Sequence, residues 1–323
     1  MPGMSGRPPL SWSTGFSQWT FSAAVTGVLL LAAALYGWGV LRSIRRRGRS
    51  WSAMRTASFA GGLVVVALAT QSSIGVYEHH WFWVHMIQHL MLIMLAPALL
   101  VTGRPWMLLL HTGSPRVHRA TKRALRSAPV ALLTHPATAA VIYTVTVLIT
   151  HLTGFMDTLM SSPAAHTGEE LLYLVAGYLY FLPVFGDEPI RWRLSHPMKI
   201  ALLVVSMPVD TFTGVILMQT SAPKFGMSVS DIHNGGAVMW IGGDFLMFLA
   251  ILVVFAFWAR HDTVRGAAKR GWLEAARASA FTERTGPVPA ESGRVKPPDL
   301  DNDDRQLDAY NSWLAKINNG QKS

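Results

Sequence analysis

The sequence predicts an all-α integral membrane protein, a bundle of seven transmembrane helices with its N-terminus outside and its C-terminus cytoplasmic. Three observations predict it. Half of the 323 residues are hydrophobic and only 14% are charged, against about 25% charged in an ordinary soluble domain. Seven windows reach the roughly 20 mostly apolar residues that a bilayer-spanning helix needs. Lys and Arg then alternate between the loops that join those windows, as membrane topology requires.

The windows run 20–41, 57–76, 81–102, 129–152, 168–187, 198–220 and 235–259. Only Arg7 precedes the first, whereas Arg42, Arg45, Arg46, Arg47 and Arg49 follow it. That is the reverse of a cleaved signal peptide, and it holds the end of the first span in the cytoplasm. The loop after the third window repeats the signal with Arg104, Arg116, Arg119, Lys122, Arg123 and Arg126. Arg191 and Arg193 follow the fifth, and Arg260, Arg265, Lys269 and Arg270 follow the seventh. The alternate loops 77–80 and 153–167 hold no Lys or Arg, and 221–234 holds only Lys224. Pro136, Pro183 and Pro208 fall within windows four, five and six, which membrane helices tolerate when neighbours re-satisfy the freed backbone groups. The net charge of +10 is on this reading orientation charge, and no nucleic-acid partner follows from it.

The chain divides into an extracytoplasmic segment (1–19), the membrane domain (20–260), a cytoplasmic linker (261–300) and a short amphipathic helix (301–323). In the last, Leu307, Tyr310, Leu314 and Ile317 recur at helical spacing behind Asp303 and Asp304. That helix offers a cytoplasmic contact, to its own bundle, to a partner or to lipid.

The chain has no cysteine, so disulfides and thiolate metal sites are excluded. Any soft-metal site must use His and Met. The histidines are placed unevenly. His79, His80, His85 and His89 stand at the outer end of span three, His151 at the outer end of span four and His166 at the outer start of span five. His233, with Asp231, lies just before span seven. At 100° per residue Trp81, His85, Gln88 and His89 share one helical face, and the i, i+4 pair His85–His89 can meet one ion. His85, His89, His151 and His166 are therefore the expected metal ligands, with Asp231, His233, Met156 and Met160 as accessories. Met218 and Met227 lie beside them as exchange ligands, while Met86, Met91 and Met94 fall on packing faces. His135–Pro136 and His196–Pro197 read as helix starts. Asp210 and Asp244 lie near mid-membrane, where ionisable groups are costly and are functional candidates; each is a possible accessory ligand, pairing with the other, with Gln71 or with a His. Imidazole suits copper, zinc and iron, and thioether sulfur selects Cu(I). An outward location favours copper or zinc over magnesium chemistry. Because the neutral imidazole is the ligand, binding should weaken below about pH 6.5.

Three stretches resemble one family. "HMIQHLMLIMLAPALLVTGRP" (85–105) is similar to the hallmark of the CtaG-type (Caa3_CtaG) cytochrome c oxidase assembly proteins: His, three residues, His, an apolar run, Pro, then Gly-x-Pro. "ITHLTGFMDTLMSSPAAHTGEELLYLVAGYLYFLPVFG" (149–186) resembles the second region, with His151 and His166 in matching places. "SDIHNGGAVMWIGGD" (230–244) resembles the last motif. The likeness spans about 55–260. It departs from the pattern at Glu170, where a His is expected, at Ile232–His233 and in the loop "SAPKFGMS". The resemblance implies a multi-pass factor of the bacterial plasma membrane, not an enzyme, that handles or delivers copper to a haem-copper oxidase subunit during maturation. The residues leave two other readings open. One is a zinc-dependent membrane hydrolase, although no HExxH is present; the other is a membrane cytochrome with two His as axial haem ligands.

Overall fold

The protein, as a computed structural model, is described over residues 17–47, 51–155, 162–224 and 226–260. The chain divides into two compact units, Met1–Asp262 and Thr263–Ser323, and the described residues belong to the first. The linker and C-terminal helix expected over 261–323 lie outside them, as do Met156, Met160 and most of the N-terminal segment.

Among the described residues the fold is all-helical. The elements are α1 (Ala23–Arg47), α2 (Ala53–Gln71), the short α3 (Ser73–Tyr77) and α4 (Phe82–Leu90). A π-turn over Met91–Leu95 leads into α5 (Ala96–Thr102), followed by α6 (Pro105–Thr112), α7 (Pro115–Leu125) and α8 (Ala128–Leu133). Then come α9 (Pro136–Leu152), α10 (Pro163–Phe185), α11 (His196–Met218) and α12 (Val229–Ala237). A second π-turn over Val238–Gly242 carries α12 on towards Arg260.

Five stretches are long and apolar enough to cross a membrane: Ala23–Arg45, Ala53–Tyr77, Phe82–Thr112, His196–Met218 and Val229–Arg260. They match five of the seven expected windows. The fourth window is split instead: Thr134 and His135 break the helix, and the piece after Pro136 is an apolar helix of 17 residues. The break has a local cause. A residue before proline is pushed out of the α-region, and His135 is extended, its ring accepting the Ala137 N–H as an N-cap. The fifth window becomes α10, which starts five residues earlier than expected, at Pro163. Ser162 caps it through the Ala165 N–H, and its early turns carry His166, Glu169 and Glu170, which dilute its apolar character.

The third stretch is the axis of the bundle. Two thirds of its apolar window (67%) is buried, against 11% for the first helix, so the histidine-bearing helix is wrapped by protein while α1 is mostly uncovered. α2 packs on α5, α10 on α5 and its π-turn, α12 on α4, and α9 bridges α10 and α11. Gly177 sets the closest of these approaches. A Cβ there would overlap the Ile93 carbonyl oxygen in the π-turn and the ring of Pro97, so only glycine lets α10 lie against the axis. Four, eight and eleven residues before it on the same helical face stand Tyr173, Glu169 and His166. The glycine contact thereby delivers those three side chains to His85 and His89.

Candidate metal centre

The histidine-bearing end of the bundle encloses a polar pocket. His85 is completely buried, and Gln88, His89, His151, His166, Glu78 and Glu169 are buried with it. α4 supplies His85 and His89 on the expected face, with ring centroids 4.0 Å apart. Trp81, expected on that face, precedes the helix and is 42% exposed.

The first turn of α4 is held from across the bundle. Asp231 accepts the Phe82 N–H at 2.7 Å and the Trp83 N–H at 3.5 Å, a carboxylate on two orphan N-terminal amides. Asp231 therefore anchors the helix that carries the histidines. His233 is likewise engaged, its Nε2 2.8 Å from the Thr220 carbonyl.

His89 and His151 form a directional chain. The Val147 carbonyl, 2.9 Å from His151 Nδ1, can only accept, so Nδ1 carries the proton. His151 Nε2 is then an acceptor, and it takes the Nδ1–H of His89 at 3.1 Å. That leaves the lone pair of His89 on Nε2. Tyr173 stacks on the His89 ring at 4.1 Å and hydrogen bonds Thr150 at 2.6 Å. His151 thus stands behind His89, with both ring nitrogens occupied. It orients the His89 ring in the way that partners of metal-bound histidines do.

Beyond this chain, most of the buried polar atoms that lack a hydrogen-bond partner converge. Among the described residues they include both ring nitrogens of His85, Nε2 of His89 and of His166, Oε2 of Glu78, Oε1 of Gln88 and both carboxylate oxygens of Glu169; Arg42, Tyr178 and Glu188 carry the others, away from this cluster. Glu169 Oε1 lies 3.5 Å from His89 Nε2, and Glu78 Oε2 lies 3.5 Å from His166 Nε2. Buried polar groups are ordinarily paired. Here Glu78, His85 and His166 bring one ligand atom each within 4.8 Å of one another, and so do His85, His89 and Glu169. Each triad is two imidazoles and a carboxylate, a donor set that suits divalent zinc, copper or iron. Burial pushes the Glu78 carboxyl up to about 9, with the neighbouring Glu170 and Glu169 adding to the rise.

Of the four expected ligands, His85, His89 and His166 therefore direct unpaired nitrogens into the pocket, and His151 supports one of them. The doublet His79–His80 also divides. His79 sits at the rim, edge-on to His166 with ring centroids 4.7 Å apart and its Nε2 3.9 Å from Glu78, while His80 is exposed in the turn. Glu78 and Glu169 were not expected, and each had a signal. Glu78 is the one acid in a four-residue loop beside the histidines, and Glu169 stands three residues after His166 and four before Tyr173. Glu170, the departure from the family pattern, accepts the Gln88 side-chain amide at 2.9 Å, which also reaches the Ala69 carbonyl.

The mid-membrane acids pair elsewhere. Tyr143 donates to Asp210 at 3.1 Å, and Thr211 donates to Asp244 at 2.9 Å. Gln71 accepts from Thr26 instead of meeting either acid. Met227 belongs to the main apolar core, and Met218 packs where a Cβ of Gly236 would fall.

Residues 34–261 match the family described as cytochrome c oxidase caa3 assembly factor. Uncharacterized proteins of Mycobacterium bovis and Mycobacterium tuberculosis are each 30% identical over 263 residues, covering 76% of this chain and 40% of their own length. An uncharacterized protein of Mycobacterium leprae is 29% identical over 266 residues, with the same coverage. The chain thus spans about two fifths of the length of these curated relatives. No solved structure matches.

Proposed function

The chain belongs to the cytochrome c oxidase caa3 assembly factor family, and from that premise we propose that it handles copper for the maturing oxidase in the buried His/Glu pocket. The observation that carries the reading is the convergence of unpaired lone pairs from five side chains, Glu78, His85, His89, His166 and Glu169, on two helices and one turn. A buried imidazole or carboxylate without a partner costs free energy, and a bound cation is the group that uses all of them together. The ion is cargo. Ligands that are few and separable suit a site that must release what it takes.

The reading includes a topology. α9 and α10 cross with the five longer stretches to make seven spans, with the N-terminus outside, because the pocket-side turn 77–80 is free of Lys and Arg while 103–128 is strongly basic. The pocket then faces the outer side of a bacterial plasma membrane, where copper is inserted into the partner oxidase subunit. The mixed donor set shifts the expected ion state. Two imidazoles and a carboxylate favour Cu(II) or zinc over Cu(I), which prefers sulfur.

A second reading draws on the same donor set. Two His and one Glu also hold catalytic zinc in hydrolases, with the open position taken by water. Zinc in the purified protein together with hydrolysis of a lipid amide would favour it. A bis-histidine haem finds no support, because the facing pair His89–His151 is in direct hydrogen bond. The functional test is deletion of the gene followed by assay of oxidase activity. Activity should fall and be restored by added copper or by the wild-type gene, but not by a His85→Ala/His89→Ala gene. Full activity in the deletion strain under low copper would refute the proposal.

A further inference from the structure

The two triads share His85, and that sharing separates them in time. A neutral imidazole has one lone pair, so it serves one ion at once. We propose that the pocket is a two-station relay, in which one cation passes between an upper station, Glu78–His85–His166, and a lower one, His85–His89–Glu169, with His85 as the ligand common to both. This inference rests on the metal-handling reading above and adds to it a route and a stoichiometry.

The asymmetry of the histidines supports it. His89 is fixed: Val147 sets His151, and His151 sets His89, so only Nε2 of His89 can bind. His85 has no such tether, because both of its nitrogens lack a hydrogen-bond partner. The protein does not choose its tautomer, and either nitrogen can present the lone pair without breaking a bond. The second nitrogen of a ligating histidine is usually held by a carbonyl or carboxylate, which pins the ring. A histidine without that restraint, standing between two sets of ligands, is suited to exchange. Its ring lies 4.0 Å from that of His89 and 5.6 Å from that of His166, between the two stations.

The stations also differ in access. At the upper one, His79 is partly exposed and touches both Glu78 and His166, so an ion arriving from solvent meets His79 first. The lower one is backed by His151 and Tyr173, both fully buried. The ion therefore enters and leaves at the Glu78 end, and the His89 end is the holding position.

The test uses full-length protein in detergent, loaded with Cu(II) and freed of excess. Copper per chain and the electron paramagnetic resonance spectrum are measured for wild type, Glu78→Gln, Glu169→Gln and the double variant. One copper per chain is expected in wild type and in each single variant. The two single variants should differ in hyperfine coupling, because each confines the ion to one station. The double variant should bind at least 100-fold more weakly. Two coppers per chain with a spin-coupled, silent spectrum would overturn the relay in favour of a bridged pair. Identical spectra from both single variants would overturn it too, as would loss of copper from one single variant with no change in the other. In those cases copper handling still stands, whereas a wild-type protein that binds no copper refutes both readings. If a Gln variant fails to fold by thermal melting, Glu→Asp at the same position withdraws the carboxylate by one methylene and gives the same readout.

Discussion

His151→Ala removes the residue that aims the His89 ring. In the structure His151 gives nothing to the pocket directly. Its Nδ1 is spent on the Val147 carbonyl and its Nε2 on the His89 Nδ1–H. Removing it leaves that buried N–H unsatisfied, a cost of about 1–3 kcal/mol to the folded state, and frees the His89 ring to turn. Loss of such a supporting partner typically lowers metal affinity about 10–100-fold, or about 1.4–2.7 kcal/mol. Copper titration of the full-length variant in detergent should therefore give unchanged stoichiometry with a weaker Kd, and thermal melting should show a lower Tm. His151→Gln, whose side-chain oxygen can accept from His89, should recover part of the affinity. Complete loss of copper from His151→Ala in a folded protein would show that His151 is itself a ligand, and an unchanged Kd would show that the His89 chain does nothing for binding. Either result refutes the reasoning.

Other perturbations probe the scaffold and its charges. Asp231→Ala removes the acceptor from the first turn of α4 and should cost about 0.5–2 kcal/mol of stability in thermal melts, with one copper still bound at saturation. Gly177→Ala drives a methyl group into the Ile93 carbonyl; overpacking of this kind costs about 1–3 kcal/mol and should weaken copper binding as α10 is pushed from the axis. Burial holds the Glu78 carboxyl up at about 9, from an ordinary 4.5. A raised carboxyl contributes most to stability below pH 4.5, and that contribution is lost as pH rises through 9, so copper-free Glu78→Gln should be at least as stable as wild type at pH 8. Binding at Glu78 displaces its proton, so affinity for Cu(II) should rise with pH by up to about tenfold per unit below 9, and buffer-dependent calorimetry should detect the released proton.

Much of this arrangement is legible in the sequence, and the exceptions have physical causes. Apolar length and the His85–His89 spacing are local properties, so the long apolar helices and the shared face of the two imidazoles follow directly from them. The break at Thr134–His135 follows from Pro136, although the residues around it form one apolar run. The site's carboxylates were missed for another reason. Glu169 reaches His89 only because Gly177 lets α10 close on the π-turn, a contact between residues more than 80 positions apart. The role of His151 is equally non-local: spacing places it at the right depth but cannot tell a ligand from the group behind one. That distinction depends on which carbonyl lies 2.9 Å from Nδ1. Asp231 shows the same limit. It reads as an accessory ligand by proximity in sequence to His233, and in space it is the cap of a helix about 150 residues earlier.

Whether two imidazoles and a carboxylate receive the ion is decided by X-ray absorption at the copper edge of the loaded full-length protein. Nitrogen and oxygen neighbours are expected at about 2.0 Å, with imidazole scattering from two histidines that disappears in His85→Ala/His89→Ala. Sulfur neighbours at about 2.3 Å, or a spectrum unchanged by that double substitution, would contradict that ligand set.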